Sequence, residues 1–141
     1  MNMRTILFAA ILLSSLGSAW GQDVQALKAK YLSDITVSEE IKAGIRSGVV
    51  VPGMCPFQAF AAAGLPGQYM VVADKKKWGS EVPPPTIISA QCEHPDDSTF
   101  ALLFRNSTQF KSATPIVFRV KFANGKAVSI DQKPLIDEKA F

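Results

Sequence analysis

Apolar positions in the first half of the chain follow the period of an α-helix. Val24, Leu27 and Tyr31 lie three and four residues apart, and Leu32 adds to the same set. This spacing predicts a helix over residues 23–33.

A second helix is predicted over residues 37–47. Its apolar positions repeat every four residues: Val37, Ile41 and Ile45. Thr36 and Glu39 have the spacing of a capping box, in which the threonine accepts a bond from a backbone amide and the glutamate reaches back. Gly48 supplies a stop after the last apolar position.

A third helix is predicted to begin at Pro56, because the fixed φ of proline suits the first turn. Gly64, followed by Pro66, ends it. The side chains expected on its buried stripe are Phe57, Phe60, Ala61 and Ala63.

Strands are predicted for the second half of the chain. The β-prone runs, several of them with alternating polarity, are residues 68–72, 86–92, 99–105, 116–122 and 127–131. Asn124-Gly125 between the last two runs is typical of a type I′ hairpin turn. Residues 75–85 are too charged and proline-rich for regular structure.

Helices followed by strands predict an α+β fold. We expect two or three short N-terminal helices packed on one face of an antiparallel sheet of about four strands, in two layers. The domain is predicted to cover residues 22–131, a single-domain length of roughly 120 residues with the tail included. Residues 132–141 are predicted to form a loosely ordered tail.

The N-terminal residues 1–21 have the pattern of a secretory signal peptide. Arg4 precedes the apolar run 6–13, and small and polar residues lead to Ala19-Trp20-Gly21. The run is far shorter than the roughly 20 residues that span a bilayer. No cysteine near the cleavage point offers a lipid-attachment signal. We therefore expect a periplasmic or secreted protein.

Charge narrows the classes of partner. The formal net charge of +3 allows weak contact with anionic envelope surfaces. The chain lacks the clustered positive charge of a nucleic-acid-binding protein, so no nucleic-acid partner is expected. No further apolar run approaches membrane length, so no membrane span is expected.

The two cysteines, Cys55 and Cys92, predict one disulfide in an oxidising compartment. Closing a loop of ~38 residues would contribute roughly 4 kcal/mol to stability. The alternatives are two free thiols or one catalytic thiol.

One segment carries a family resemblance. Residues 53–66 run Gly-Met-Cys-Pro-Phe-Gln-Ala-Phe-Ala-Ala-Ala-Gly-Leu-Pro. With Gly53, Met54, Gly64 and Pro66 at matching spacing, they resemble the Gly-Met-Thr…Leu-Gly-x-Pro signature of the SmpA/OmlA family. That family includes the outer-membrane assembly lipoprotein BamE, and β-lactamase inhibitor proteins are similar in fold. The resemblance implies a small two-layer α/β module with an accessory or scaffolding role. Cys55 replaces the usual threonine, and the lipid-anchor cysteine is missing.

The sequence offers few candidate residues for catalysis or metal binding. Residues 92–97 gather a cysteine, a glutamate, a histidine and two aspartates, which could ligate a metal or simply form a polar turn between two strands. Cys55 at a helix N-terminus would gain thiolate character, but the second cysteine of a C-x-x-C motif is missing. A Cys55–His94 dyad would need a reduced thiol. We expect no metal and no other cofactor.

The segment Lys75, Lys76, Lys77 and Trp78 is predicted to bind a partner. Three ammonium groups attract anions, and the tryptophan offers an apolar face suited to an interface. The alternative is a solvated loop whose tryptophan packs on the core.

Together these patterns predict an exported, non-enzymatic envelope protein that binds or scaffolds a protein partner. One alternative is a secreted or periplasmic inhibitor of a hydrolase. Another is a small thiol- or metal-dependent enzyme that uses Cys55, Cys92 or His94.

Overall fold

The computed structural model describes residues 23–66 and 85–132. Helices precede strands in these ranges, which confirms the α+β class. The elements are α1 (Val24–Ser33), α2 (Glu39–Ser47), α3 (Pro56–Ala63), α4 (Pro85–Ala90), β1 (Thr99–Asn106), β2 (Ile116–Ala123) and β3 (Lys126–Gln132). The predicted signal peptide, the predicted strand at 68–72, the Lys75–Trp78 segment and residues 133–141 lie outside the described residues.

The first helix agrees with its prediction. Asp23 is the N-cap of α1, and its Oδ1 accepts a hydrogen bond from Gln25 N at 2.9 Å. This bond satisfies one of the free amides of the first turn. Leu27 and Tyr31, one turn apart, are buried. The apolar spacing in the sequence therefore marks the face that packs inward.

The predicted cap of α2 is wrong. Ser38 caps the helix, and its Oγ accepts from Ile41 N at 3.3 Å. Thr36 instead belongs to a local turn before the helix, in which its N–H and hydroxyl donate to the Oδ1 of Asp34 at 2.9 and 2.7 Å. An aspartate that closes a local turn in this way competes with helix formation. The helix consequently begins at Glu39, while its predicted stop at Gly48 is confirmed by a left-handed φ of 71°.

The central helix is α3, which contacts α1, α2, α4 and β1. Pro56 occupies its first turn, and Gln58 Oε1 accepts from Cys55 N at 3.0 Å, in front of the helix. Gly64 ends it with a φ of 92°, as predicted. Most of its side chains are buried: Pro56, Phe57, Ala59, Phe60, Ala61 and Ala62. A helix that is apolar on nearly all sides belongs in the core.

The strand predicted at residues 86–92 is wrong, because residues 85–90 form α4. Pro85 suits a first helical position. Ile88 is fully buried, so this β-branched residue packs into the core from a helix and does not form a strand. The turn after the helix continues through a bond from His94 N to Ala90 O at 2.8 Å.

The sheet is antiparallel with strand order β1-β2-β3. Stacked phenylalanines join β1 to β2: Phe100 pairs with Phe122 at 5.3 Å between ring centroids, and Phe104 with Phe118 at 5.7 Å. Phe60 of α3 contacts Phe104 at 6.0 Å and connects the helices to the sheet. Three strands are described; the fourth strand and the two-layer packing stay predictions.

The strand predicted at residues 99–105 is confirmed as β1, and both of its faces are buried. Phe100, Leu102 and Phe104 are at most 1% exposed. Ala101 and Leu103, which alternate with them, are only 2% and 6% exposed. The strand is thus covered on both faces over residues 100–104.

The predicted hairpin between β2 and β3 is confirmed. Asn124 and Gly125 both have positive φ, 52° and 75°, which a type I′ turn requires. Gly125 is also needed for close packing, because an added Cβ would lie 2.6 Å from Pro95 Cβ and 2.8 Å from Gln91 O. The hairpin tip therefore rests directly on the turn that follows α4.

Two further bonds fasten the segment before α3. Gly53 N donates to Ala127 O at 2.9 Å, and Ala127 N donates to Met54 O at 2.7 Å, so this segment extends the β3 edge. The side chain of Gln109 fastens Val50 in the same segment. Its Oε1 accepts from Val50 N at 2.7 Å, and its Nε2 donates to Val50 O at 2.9 Å. These bonds satisfy backbone groups that would otherwise be buried without partners.

Gly125→Ala is expected to destabilise the protein more than Gly53→Ala. Both substitutions strain a positive φ, which costs about 1 kcal/mol or more. Only Gly125→Ala also forces a methyl group into Pro95 and Gln91, since an added Cβ at Gly53 meets no atom within 4 Å. Overpacking of this kind adds about 1–3 kcal/mol.

The measurement is the free energy of unfolding in urea for both variants and the wild type. Gly53→Ala is the matched control, because it carries the backbone strain without the contact. Equal losses in the two variants would contradict the close packing of the hairpin on the turn.

Candidate functional site

A cleft of about 510 Å³ opens beside the helix-capping residues and the hairpin. Four segments line it. The stretch from the end of α1 to the start of α2 contributes Tyr31, Asp34 and Thr36, and the start of α3 with the residues before it contributes Gly53, Cys55 and Gln58. The turn after α4 contributes Glu93 and Pro95, and the hairpin contributes Asn124, Gly125 and Lys126. The lining runs from Lys30 to Lys126, so the cleft joins residues that are up to 96 positions apart in sequence.

The Cys55–Cys92 disulfide contributes to the cleft lining and confirms the predicted pairing. It joins the N-cap of α3 to the turn after α4, with 5.1 Å between the two Cα atoms. Phe57 N, in the first turn of α3, donates to Cys92 Sγ at 3.4 Å. Both sulfurs are consumed by the bond, so neither is available as a nucleophile or a metal ligand in this state.

The polar residues after Cys92 form a turn. It lies between α4 and β1, and not between two strands as predicted. Asp96 Oδ1 accepts from Ser98 N at 2.8 Å, and Gln91 Oε1 accepts from Asp96 N at 3.3 Å. His94 is exposed. Within residues 23–66 and 85–132, no three histidine, cysteine or carboxylate side chains are grouped so that they could hold a metal ion.

Asp34 organises the α1–α2 connection. The hydrogen bonds from the Thr36 hydroxyl and from Thr36 N lower the pKa of this carboxyl, and the nearby Lys42 and Lys30 lower it further. Both bonds stabilise the ionised form. The turn is therefore held by a carboxylate that stays charged well into the acid range.

Tyr31 is the most buried ionisable group of the cleft, with 6% of its surface exposed. Burial raises the pKa of its hydroxyl, and the negative charges of Glu93 and Asp34 raise it further. Each of these effects disfavours the phenolate. Tyr31 therefore presents a neutral hydroxyl at physiological pH. The Nζ of Lys30 lies 5.4 Å from the centroid of its ring.

Ile35 lies on the edge of the cleft, between the lining residues Asp34 and Thr36, and it is 93% exposed. We call Ile35 and these two neighbours the cleft rim. The two hydrogen bonds between Asp34 and Thr36 fix the backbone on either side of the isoleucine. The rim therefore presents an apolar side chain on an ordered turn.

Sequence reasoning identified the disulfide and, in the polar cluster 92–97, Glu93. Tyr31 stood out only as an apolar position of the first predicted helix, and Asp34 and Lys126 carried no motif. The Asp34-Ile35-Thr36 sequence does contain a usable signal, because an aspartate two residues before a threonine favours a local turn. The predicted binding segment Lys75–Trp78 lies outside the described residues.

Comparisons with protein families, with characterised proteins and with solved structures gave no significant match. The SmpA/OmlA resemblance therefore stays a prediction from residues 53–66. None of the helices in the described ranges has the length and apolar character that crossing a membrane requires.

Replacing both cysteines by alanine is expected to lower the free energy of unfolding by about 4 kcal/mol, because the unfolded chain loses a constraint on a long loop. The measurement is urea denaturation, with linear extrapolation to water. Wild-type protein treated with a thiol reductant is the control and should lose a similar amount. A loss of less than about 1 kcal/mol would mean that the bond constrains little beyond what packing already holds.

Thr36→Val is expected to raise the pKa of Asp34 towards its ordinary value of 3.8, because the hydroxyl bond is the largest cause of the lowering. Since the folded pKa lies below the unfolded one, the stabilisation by Asp34 is complete above pH 3.8 and is lost as pH falls through the folded pKa. The variant should lose this stabilisation at higher pH than the wild type.

Carboxyl-carbon NMR of Asp34 during an acid titration measures the pKa directly. Thr114→Val is a matched control, because Thr114 is exposed and remote in sequence from the turn. An unchanged Asp34 pKa in Thr36→Val would refute the role of the hydroxyl.

Proposed function

We propose that this chain is an exported, non-enzymatic binding module that recognises a protein partner in the cell envelope. The binding surface is the cleft beside Cys55–Cys92 together with its rim. The signal-peptide pattern of residues 1–21 supports export, and the disulfide suits an oxidising compartment. The SmpA/OmlA resemblance supports an accessory or scaffolding role.

The observation that carries the proposal is the preformed character of the cleft. Three of its segments are fastened to one another. The disulfide joins α3 to the turn after α4, the Gly53–Ala127 bond joins the segment before α3 to β3, and Gly125 packs against Pro95. A surface that is ordered before binding loses little conformational entropy on association.

Ile35 is the apolar anchor of this surface. An isoleucine that is 93% exposed gains about 1.5–3 kcal/mol when a partner covers it. The polar groups around it, on Asp34 and Thr36, are already bonded to each other, so a partner need not satisfy them again. Apolar anchors surrounded by polar groups are typical of binding hot spots.

The test places a photo-crosslinking amino acid at position 35 of the full chain in the cells that produce it. We expect a discrete protein adduct, because the rim is in contact with the partner. The same amino acid at Glu40, an exposed residue of α2 that does not line the cleft, is the matched control. With the captured protein purified, Ile35→Asp should weaken its binding by about tenfold or more.

Two outcomes would overturn the proposal. One is an adduct that forms equally from both positions, which would indicate non-specific collision. The other is unaltered affinity of the captured protein for Ile35→Asp.

A further inference from the structure

Tyr31 presents a polar group at the wall of the cleft. Only 6% of its surface is exposed. Within the described residues no hydrogen bond reaches its hydroxyl, and this oxygen is not one of the fully buried atoms without a partner, so it is accessible from the cleft. Buried tyrosines usually bond their hydroxyl to a neighbour. The cleft therefore contains a polar group whose partner must come from solvent or from a ligand.

Two carboxylates from different segments of the chain share the cleft with this hydroxyl. Asp34 follows α1, and Glu93 lies in the turn after α4, and both line the cleft. Asp34 uses Oδ1 for Thr36, while its Oδ2 accepts no bond from the described residues. Glu93 is exposed and forms no ion pair within those residues. Their charges act on Tyr31, since both raise the pKa of the phenol.

We propose that this cleft binds the cationic side chain of an arginine or lysine presented by the protein partner. The Tyr31 hydroxyl and the Asp34 and Glu93 carboxylates are its acceptors. The proposal rests on the proposed function and names the chemistry that the partner offers. Three acceptors from two segments suit the several N–H donors of a guanidinium. Bonds between such a cation and a carboxylate are stronger than those between neutral groups.

Two lysines in the lining oppose the effect of the carboxylates. The Nζ of Lys30 is 5.4 Å from the Tyr31 ring centroid, and Lys126 approaches from the hairpin. Their positive charges oppose a second cation. The proposal therefore predicts opposite effects for neighbouring charges: loss of a carboxylate weakens binding of the cation, and loss of a lysine strengthens it.

The experiment titrates the full chain, with its disulfide intact, with acetyl-Gly-Arg-Gly-amide and follows backbone amide NMR signals. The peptide with citrulline in place of arginine has nearly the same shape without the charge. We expect the arginine peptide to shift the signals of Asp34, Glu93 and Gly125 and to bind about tenfold more tightly than the citrulline peptide.

Variants locate the bound group. Glu93→Gln should weaken arginine-peptide binding by about tenfold, and Tyr31→Phe by about threefold. Lys126→Gln should strengthen it by about twofold. Glu40→Gln is the matched control, because it removes an exposed carboxylate outside the cleft, and it should leave affinity unchanged. The amide spectrum of each variant checks that the fold is retained.

Equal affinity for the arginine and citrulline peptides, or unchanged affinity in Glu93→Gln and Tyr31→Phe, overturns this inference. Its failure is separable from failure of the proposed function. If the position-35 adduct forms while the arginine peptide does not bind, the proposed partner-binding surface is supported and the cation site is refuted. If the peptide binds as described but no adduct forms, the cation site is supported and the proposed envelope partner is refuted.

Discussion

The joint at the N-terminus of α3 is the constraint on which this architecture depends. At that point Cys55 is covalently bonded to Cys92, and the preceding residues Gly53 and Met54 pair with Ala127. One end of the central helix is thereby tied both to the turn after α4 and to the last described strand. Because α3 contacts three other helices and β1, its position sets theirs.

The aromatic core forms the second connection between the helices and the sheet. Phe60 extends from α3 to Phe104, which stacks on Phe118 in the next strand. Large rings bury much apolar area and also prefer defined relative orientations. The core therefore fixes the angle of the helices on the sheet, while the joint at α3 fixes where they meet it.

The cleft is a consequence of the same geometry. Its lining comes from the ends of elements: the end of α1, the turn after α4 and the β2–β3 hairpin. Such positions can carry polar groups because they do not form the core. The joint brings the segment of Glu93 and the hairpin residue Gly125 into the same cleft as Tyr31 and Asp34, so two carboxylates and a neutral phenol share a small space.

Much of the local structure could be predicted because it depends on neighbours in sequence. The proline and glycine that bound α3 and the Asn124-Gly125 turn each act through φ, ψ and hydrogen bonds within a few residues. The disulfide followed from pairing the two cysteines in an oxidising compartment. The SmpA/OmlA resemblance stays a prediction beside these results.

Errors arose where a residue had two structural options and either a competing local hydrogen bond or distant packing chose between them. Thr36 could have capped a helix, but its hydroxyl donates to the carboxylate of Asp34 in a local turn. Ile88 lies in a run of residues that favours a strand, yet it is buried as part of the helix α4. The alternation in β1 could not show that Ala101 and Leu103 would also be covered.

The chain by itself therefore determined the first three helices, the stops of α2 and α3, the Asn124-Gly125 turn and the covalent pairing, because each depends on short-range geometry or on residue chemistry alone. Only the tertiary structure decided the cleft. Tyr31, Asp34 and Glu93 carry no shared motif, and their charges interact only once the Cys55–Cys92 joint has closed the distance between their segments. Electrostatic interaction depends on separation in space, which sequence separation does not encode.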